Sequence, residues 1–171
     1  MLLVRTALFA LIASVSLKAL LLYGVAWMLM LTVLRFADAY QHTYDAFAVL
    51  EDGGAIPADK VRDRAYEQHN TYSNVVSLRW PALNLLLLNF SYHNAHHEKP
   101  VAPWYRLPEL HRELYGSDYV QVIPMHLLLK SFHQHRLRRV VDDHYGEVAE
   151  TGERRADGFY GAVGVSFLTA V

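Results

Sequence analysis

From Ala19 to Leu34 the chain carries no charged side chain. With its flanks this stretch approaches the ~20 apolar residues that a helix needs to cross a bilayer. Every backbone amide within a hydrocarbon layer must be satisfied inside its own segment, so such a stretch is restricted to a helix. Lys18 separates it from residues 6–17, and a lysine there snorkels to one interface, leaving 6–17 as an interfacial or partial helix. The apolar run outlasts the roughly 7–15-residue core of a secretory signal, and no small-x-small cleavage site precedes Arg35. The competing reading is a buried helix of a soluble protein. Residues 1–36 are read as a membrane-embedded segment with one span. Basic residues crowd the C-terminal side (Arg35, Lys60, Arg62, Arg64, Lys99, Arg106, Arg112) against Arg5 and Lys18 before it. The positive-inside tendency then faces the remainder of the chain to the cytoplasm.

That remainder carries most of the chemistry. The formal net charge of −1 provides no field for nucleic acid. The absence of cysteine excludes disulfides, thiolate zinc, iron–sulfur clusters and a cysteine nucleophile, so any metal must be held by histidine and carboxylate. No GxGxxG or P-loop is present, so the sequence shows no nicotinamide or flavin motif.

The run His93-Asn94-Ala95-His96-His97 puts three imidazoles at i, i+3 and i+4, which share one face of a helix. Three neutral nitrogen donors beside an apolar segment suit a first-row transition metal. Chance clustering among ten histidines is the bland alternative. His42 follows the span, and His69 is a weaker candidate ligand. Glu67 beside it is either a carboxylate ligand or an acceptor for a ring N–H. Asn89, Asn94 and Glu98 either orient the imidazoles or are solvated. His111 is expected at the surface. His133, His135, Arg136, Arg138 and Arg139 read as a basic face toward anionic headgroups.

Residues 37–150 read as a His-rich helical cap and 151–171 as a tail whose apolar end, 161–171, is too short to span. Tyr40 and Tyr44 suit an interfacial aromatic belt. A loop is expected at 51–57, and a polar helix over 58–80 that stops before Pro81. The eight-residue apolar run 83–90 is expected to be buried or interfacial. Pro100, Pro103 and Pro108 predict an extended, non-helical segment, with two or so helices over 109–150. The fold class is mainly α: a membrane helix plus a cytosolic helical cap.

Asn89 to Leu110, with HxxHH followed by a Pro-rich turn and Trp104-Tyr105-Arg106-Leu107-Pro108-Glu109-Leu110, resembles the last histidine box of the integral-membrane fatty acid desaturases. The resemblance implies a non-haem di-iron centre with O2 as co-substrate, and His93, His96 and His97 as catalytic iron ligands. It implies a fourth ligand at His42, in the position of a histidine just beyond a membrane helix. It also implies an acyl lipid, acyl-CoA or acyl-carrier substrate, a ferredoxin- or cytochrome-type electron donor, and an integral-membrane location with the His-rich region cytoplasmic. The HxxxH and second HxxHH boxes of that family are not in this sequence, so the chain matches the C-terminal part of the family and is read as an N-terminally truncated form. The same centre serves carotenoid or alkane hydroxylases and ketolases, a non-catalytic remnant is a different class, and a hydrolytic zinc site is a third, disfavoured by the lack of HExxH.

Overall fold

The computed structural model describes residues 2–44, 63–142, 144–149, 152 and 154–162. The loop expected at 51–57 and most of the 161–171 tail fall outside them. The chain divides into two compact units, Met1–Phe36 and Ala37–Val171. Among the described residues the secondary structure is helical, with isolated bridges and no strands. This matches the mainly α class expected from the sequence.

The first unit contains α1 (Leu2–Val15) and most of α2 (Leu17–Asp38). Both are apolar around their whole circumference, and large side chains such as Leu11, Leu21, Trp27 and Met28 are exposed. A helix apolar on every side requires an apolar surrounding. α2 is long and apolar enough to cross a membrane. Thr6 and Thr32 turn their hydroxyls back onto the carbonyls of Leu2 and Met28, which removes their hydrogen-bonding demand from the surface. The helices bend at Ser16, whose Oγ accepts from the Ala19 amide at 3.2 Å. The bend brings the Phe9 and Tyr23 rings within 5.5 Å, where a straight helix would hold them about 21 Å apart.

The second unit is assembled from short pieces. α3 (Arg64–His69) starts at Asp63, whose carboxylate accepts from the Tyr66 amide at 2.9 Å. The helix expected over 58–80 ends at His69. Beyond it, Asn70 and Thr71 direct their side chains to the carbonyls of Tyr66 and Glu67, a local competition that disfavours helix. The chain continues extended: Ser73 bridges Val122, and Thr71 bridges His42. A 3-10 segment (Pro81–Leu87) follows and turns out through Leu88 and Asn89, both at positive φ. Next come α4 (His93–Glu98), a 3-10 turn (Trp104–Arg106), α5 (Leu107–Tyr115), α6 (Met125–Gln134) and α7 (Arg138–Val141). The Pro-rich stretch was expected to be wholly extended. In fact Pro108 lies in the first turn of α5, where its missing N–H has no helical partner to lose.

One core holds Val75, Tyr92, Ala95, Leu107 and Val122, which pins α4 against α5. A second gathers aromatic rings: Tyr40 lies 5.1 Å from Phe159 and 6.3 Å from Phe132, and Tyr72 lies 5.2 Å from Phe159. Tyr40, expected at a membrane interface, is therefore buried. Gly161 permits the packing around it, because a Cβ there would sit 2.5 Å from the Ala39 carbonyl oxygen. The basic face expected over 133–139 is partly folded inward. Arg139 stacks 4.0 Å over Phe132, and Arg138 donates to the Tyr160 hydroxyl at 2.8 Å.

Candidate metal centre

α4 is one and a half turns long, too short to be stable alone. Its position is set by Asn94, which is completely buried inside the HxxHH run. The Asn94 amide donates from Nδ2 to the Thr71 carbonyl at 2.6 Å, and its Oδ1 accepts from Ser73 Oγ at 2.8 Å. Ser73 Oγ in turn accepts from the Asn94 backbone N–H at 3.1 Å. These bonds join the box helix to the extended segment 71–73. That segment also pairs with the chain around His42: Tyr72 N–H donates to the Gln41 carbonyl and Thr43 N–H to the Asn70 carbonyl. One polar clamp thus aligns two pieces of chain, 42–44 and 93–97, that are far apart in sequence.

At their junction three imidazoles converge. Nε2 of His42 lies 3.0 Å from that of His97 and 3.1 Å from that of His93, and the His93–His97 pair closes the triangle at 3.2 Å. The triangle is more telling than any single contact. Three neutral rings pointing one nitrogen each at a common point cannot all satisfy one another, because one ring nitrogen per neutral imidazole lacks a proton. His97 also has a carboxylate partner. Its Nδ1 lies 2.6 Å from Glu67 Oε1, a contact that in the neutral ring places the proton on Nδ1 and leaves Nε2 as the lone pair toward the triangle.

The electrostatics agree. Burial, followed by the neighbouring His97 and His96, lowers the pKa of His42 to about 3. Burial and the His42, His97 and His96 rings likewise hold His93 well below its ordinary value. Burial and His97 lower that of His96. At neutral pH His42 and His93 are unprotonated donors, which is what a metal requires. The spacing also fits a single cation. A first-row metal roughly 2.0–2.1 Å from each imidazole nitrogen places those nitrogens about 3.0 Å apart at right angles and about 3.4 Å apart at tetrahedral angles.

Of the expected ligands, the structure brings together His42, His93 and His97. His96 lies beside the group, its ring 5.7 Å from that of His93 and 5.8 Å from that of His97, against Phe90 at 4.4 Å. His69 is exposed at the end of α3 and is not part of the group. The Glu67 carboxylate reaches a ring N–H as anticipated, but the ring is His97. Glu98 turns to Arg64 at 2.6 Å. Tyr44, expected at an interface, stacks on His42 with ring centres 4.7 Å apart.

Of the two alternatives for Asn94, orienting the box or being solvated, the structure shows a buried clamp, and the part played by Ser73 was not evident in the sequence. The only hint was an asparagine interrupting a histidine run, flanked upstream by a polar, β-branched stretch at 70–77. His111, expected at the surface, is buried against Tyr92 and Tyr115.

Comparison with known proteins identifies a family. No curated protein and no solved structure matches the chain. The family model described as Fatty acid desaturase matches residues 1–128, from α1 through the His42–His93–His97 triangle into α6. A match over that length, encompassing the box and its clamp, places this chain in the fatty acid desaturase family.

Proposed function

We propose that the protein is a membrane di-iron oxidoreductase that introduces a double bond into an acyl chain, using O2 and electrons from a ferredoxin- or cytochrome-type partner. The observation that carries this reading is the Nε2 triangle of His42, His93 and His97 within a desaturase-family chain. His42, His93 and His97 would hold one iron. His96, on the same helix but turned toward Phe90, would face a second, whose other ligands are additional to these four. Iron supplies the oxidising power needed to remove hydrogen from an unactivated methylene pair. The chain's own groups do the rest. Glu67 fixes the His97 tautomer and ring plane. Burial, with the neighbouring imidazoles, keeps His42 and His93 deprotonated. The apolar ring of Phe90 lies against His96 and offers a surface for an alkyl chain. Positive-inside bias supports a cytoplasmic position for the His-rich unit.

The test is metal analysis of detergent-purified protein, combined with mass spectrometry of the lipids of an expressing host. Bound iron, and an acyl product lighter by one pair of hydrogens that is lost in His96→Ala, are expected. An oxygenated product would move the assignment to a hydroxylase or ketolase. A single zinc with no iron contradicts the proposal.

A further inference from the structure

The segment that leads into the His box has an unusual surface. Pro81 to His97 includes no acidic or basic residue apart from the box histidines, and the nearest charges are Arg79 before it and Glu98 and Lys99 after it. Its polar groups point into the protein. Asn84 is completely buried: its Oδ1 accepts from the Val76 and Ser77 amides at 2.7 and 3.2 Å, and its Nδ2 donates to the Ser77 carbonyl at 3.0 Å and the Tyr92 hydroxyl at 3.2 Å. The backbone is closed on itself as well. The amides of Leu83, Leu88, Asn89 and Phe90 donate to the carbonyls of Trp80, Leu85, Asn84 and Leu87 at 2.9–3.0 Å.

The outer face is nearly all hydrocarbon. Leu83, Leu85 and Phe90 are exposed, Leu86 is 74% exposed and Leu88 58%. The apolar side chains were not buried when the turn closed; Asn84 was buried instead. At its start stands Trp80, 62% exposed with the Arg79 guanidinium 5.6 Å from its ring centre, a pairing of aromatic and cation suited to a headgroup layer. A 3-10 segment of this length is about 14 Å long, too short to cross a bilayer but long enough to lie at its acyl boundary. Satisfied backbone, absent charge and an outward leucine face are what hydrocarbon permits and water disfavours.

We infer that Pro81–Phe90 inserts into the acyl layer of a lipid bilayer, anchored at the headgroups by Arg79 and Trp80. Its far end, Phe90, lies 4.4 Å from His96 and 5.2 Å from His93. The insertion therefore runs a continuous apolar surface from the bilayer to the histidines. On the function proposed above, this makes an acyl chain dissolved in the bilayer the substrate form, delivered laterally rather than from water.

The chain has no cysteine, so Leu86→Cys and Leu88→Cys each introduce one labelling site, with His133→Cys on exposed α6 as control. Each full-length variant is labelled with an environment-sensitive fluorophore and placed in phosphatidylcholine nanodiscs. Quenching is then compared for lipids carrying a nitroxide on the acyl chain and for a water-soluble nitroxide. The ratio of lipid to aqueous quenching is expected to be at least about twofold higher at positions 86 and 88 than at 133. Equal ratios overturn the inference. So does a blue-shifted probe that no lipid quenches, which would assign the face to a protein contact such as a second copy. Iron content measured on the same nanodiscs separates the two proposals. Lipid quenching without iron keeps the insertion and removes the desaturase reading, whereas iron with an aqueous Leu86→Cys probe does the reverse.

Discussion

Two buried histidine environments lie among the described residues of the second unit, and they differ in arrangement. His42, His93 and His97 turn their Nε2 atoms to a common point. His111 lies alone in a cage of Tyr92, Tyr115 and Tyr119, its ring centre 5.2–6.0 Å from theirs. Burial lowers the pKa in both places, to about 3 at His42 and to about 4 at His111. Buried nitrogens without a hydrogen bond occur in both as well, at Nδ1 of His93 and of His111. Neither burial nor an unpaired nitrogen therefore distinguishes a metal site from a packed ring. What sets the proposed metal site apart is convergence, together with a carboxylate against one ring.

The comparison is broken most forcefully at the triangle. Replacing His93 by Ala is expected to lower iron affinity by at least about 100-fold, since it removes one of three converging donors. Iron titration of the purified protein checks this. Retained affinity would show that the triangle is packing. A smaller loss, about 10–100-fold, is expected for Glu67→Gln, which keeps the shape but weakens the hold on the His97 N–H. Smaller again in its effect on metal, Asn94→Ala is expected to cost roughly 1–3 kcal/mol of stability by stranding the Thr71 carbonyl and Ser73 hydroxyl. Denaturant melts of the metal-free protein in detergent measure it.

His111 sharpens the other side. Its folded pKa lies below the ordinary 6.5, so the unfolded chain takes up a proton that the folded one refuses. Its contribution is therefore present above about pH 6.5 and lost as the pH falls toward about 4. His111→Phe is expected to reduce the acid sensitivity of the metal-free protein without changing iron affinity. Thermal melts between these pH values, alongside the iron titration, check both parts. An unchanged pH slope would mean that His111 titrates normally.

The degree to which the sequence disclosed these features follows their range. The charge-free run at 19–34 and the i, i+3, i+4 histidines depend on periodicity within one segment, and both were readable. His42 was singled out only through the family resemblance, and the structure places its ring with those of His93 and His97. What was not readable depends on pairing between distant segments. The approach of Glu67 to His97 and the burial of His111 follow from how 71–75, 92–95 and 107–123 pack, and the burial of Tyr40 from its packing on Phe132 and Phe159. The expected helix at 70–80 failed for a local reason, since Asn70 and Thr71 bond their own preceding carbonyls. The exposed leucines of 83–88 were legible as apolar. Their outward direction was decided by Asn84, whose four hydrogen bonds face inward.

If the proposed site holds metal, convergence and not burial makes it do so. Anaerobic Fe(II) titration of wild type, His93→Ala and His111→Phe in the same detergent tests it most directly. Wild type and His111→Phe are expected to bind iron alike and His93→Ala to lose it. Equal affinity in the two variants would contradict it.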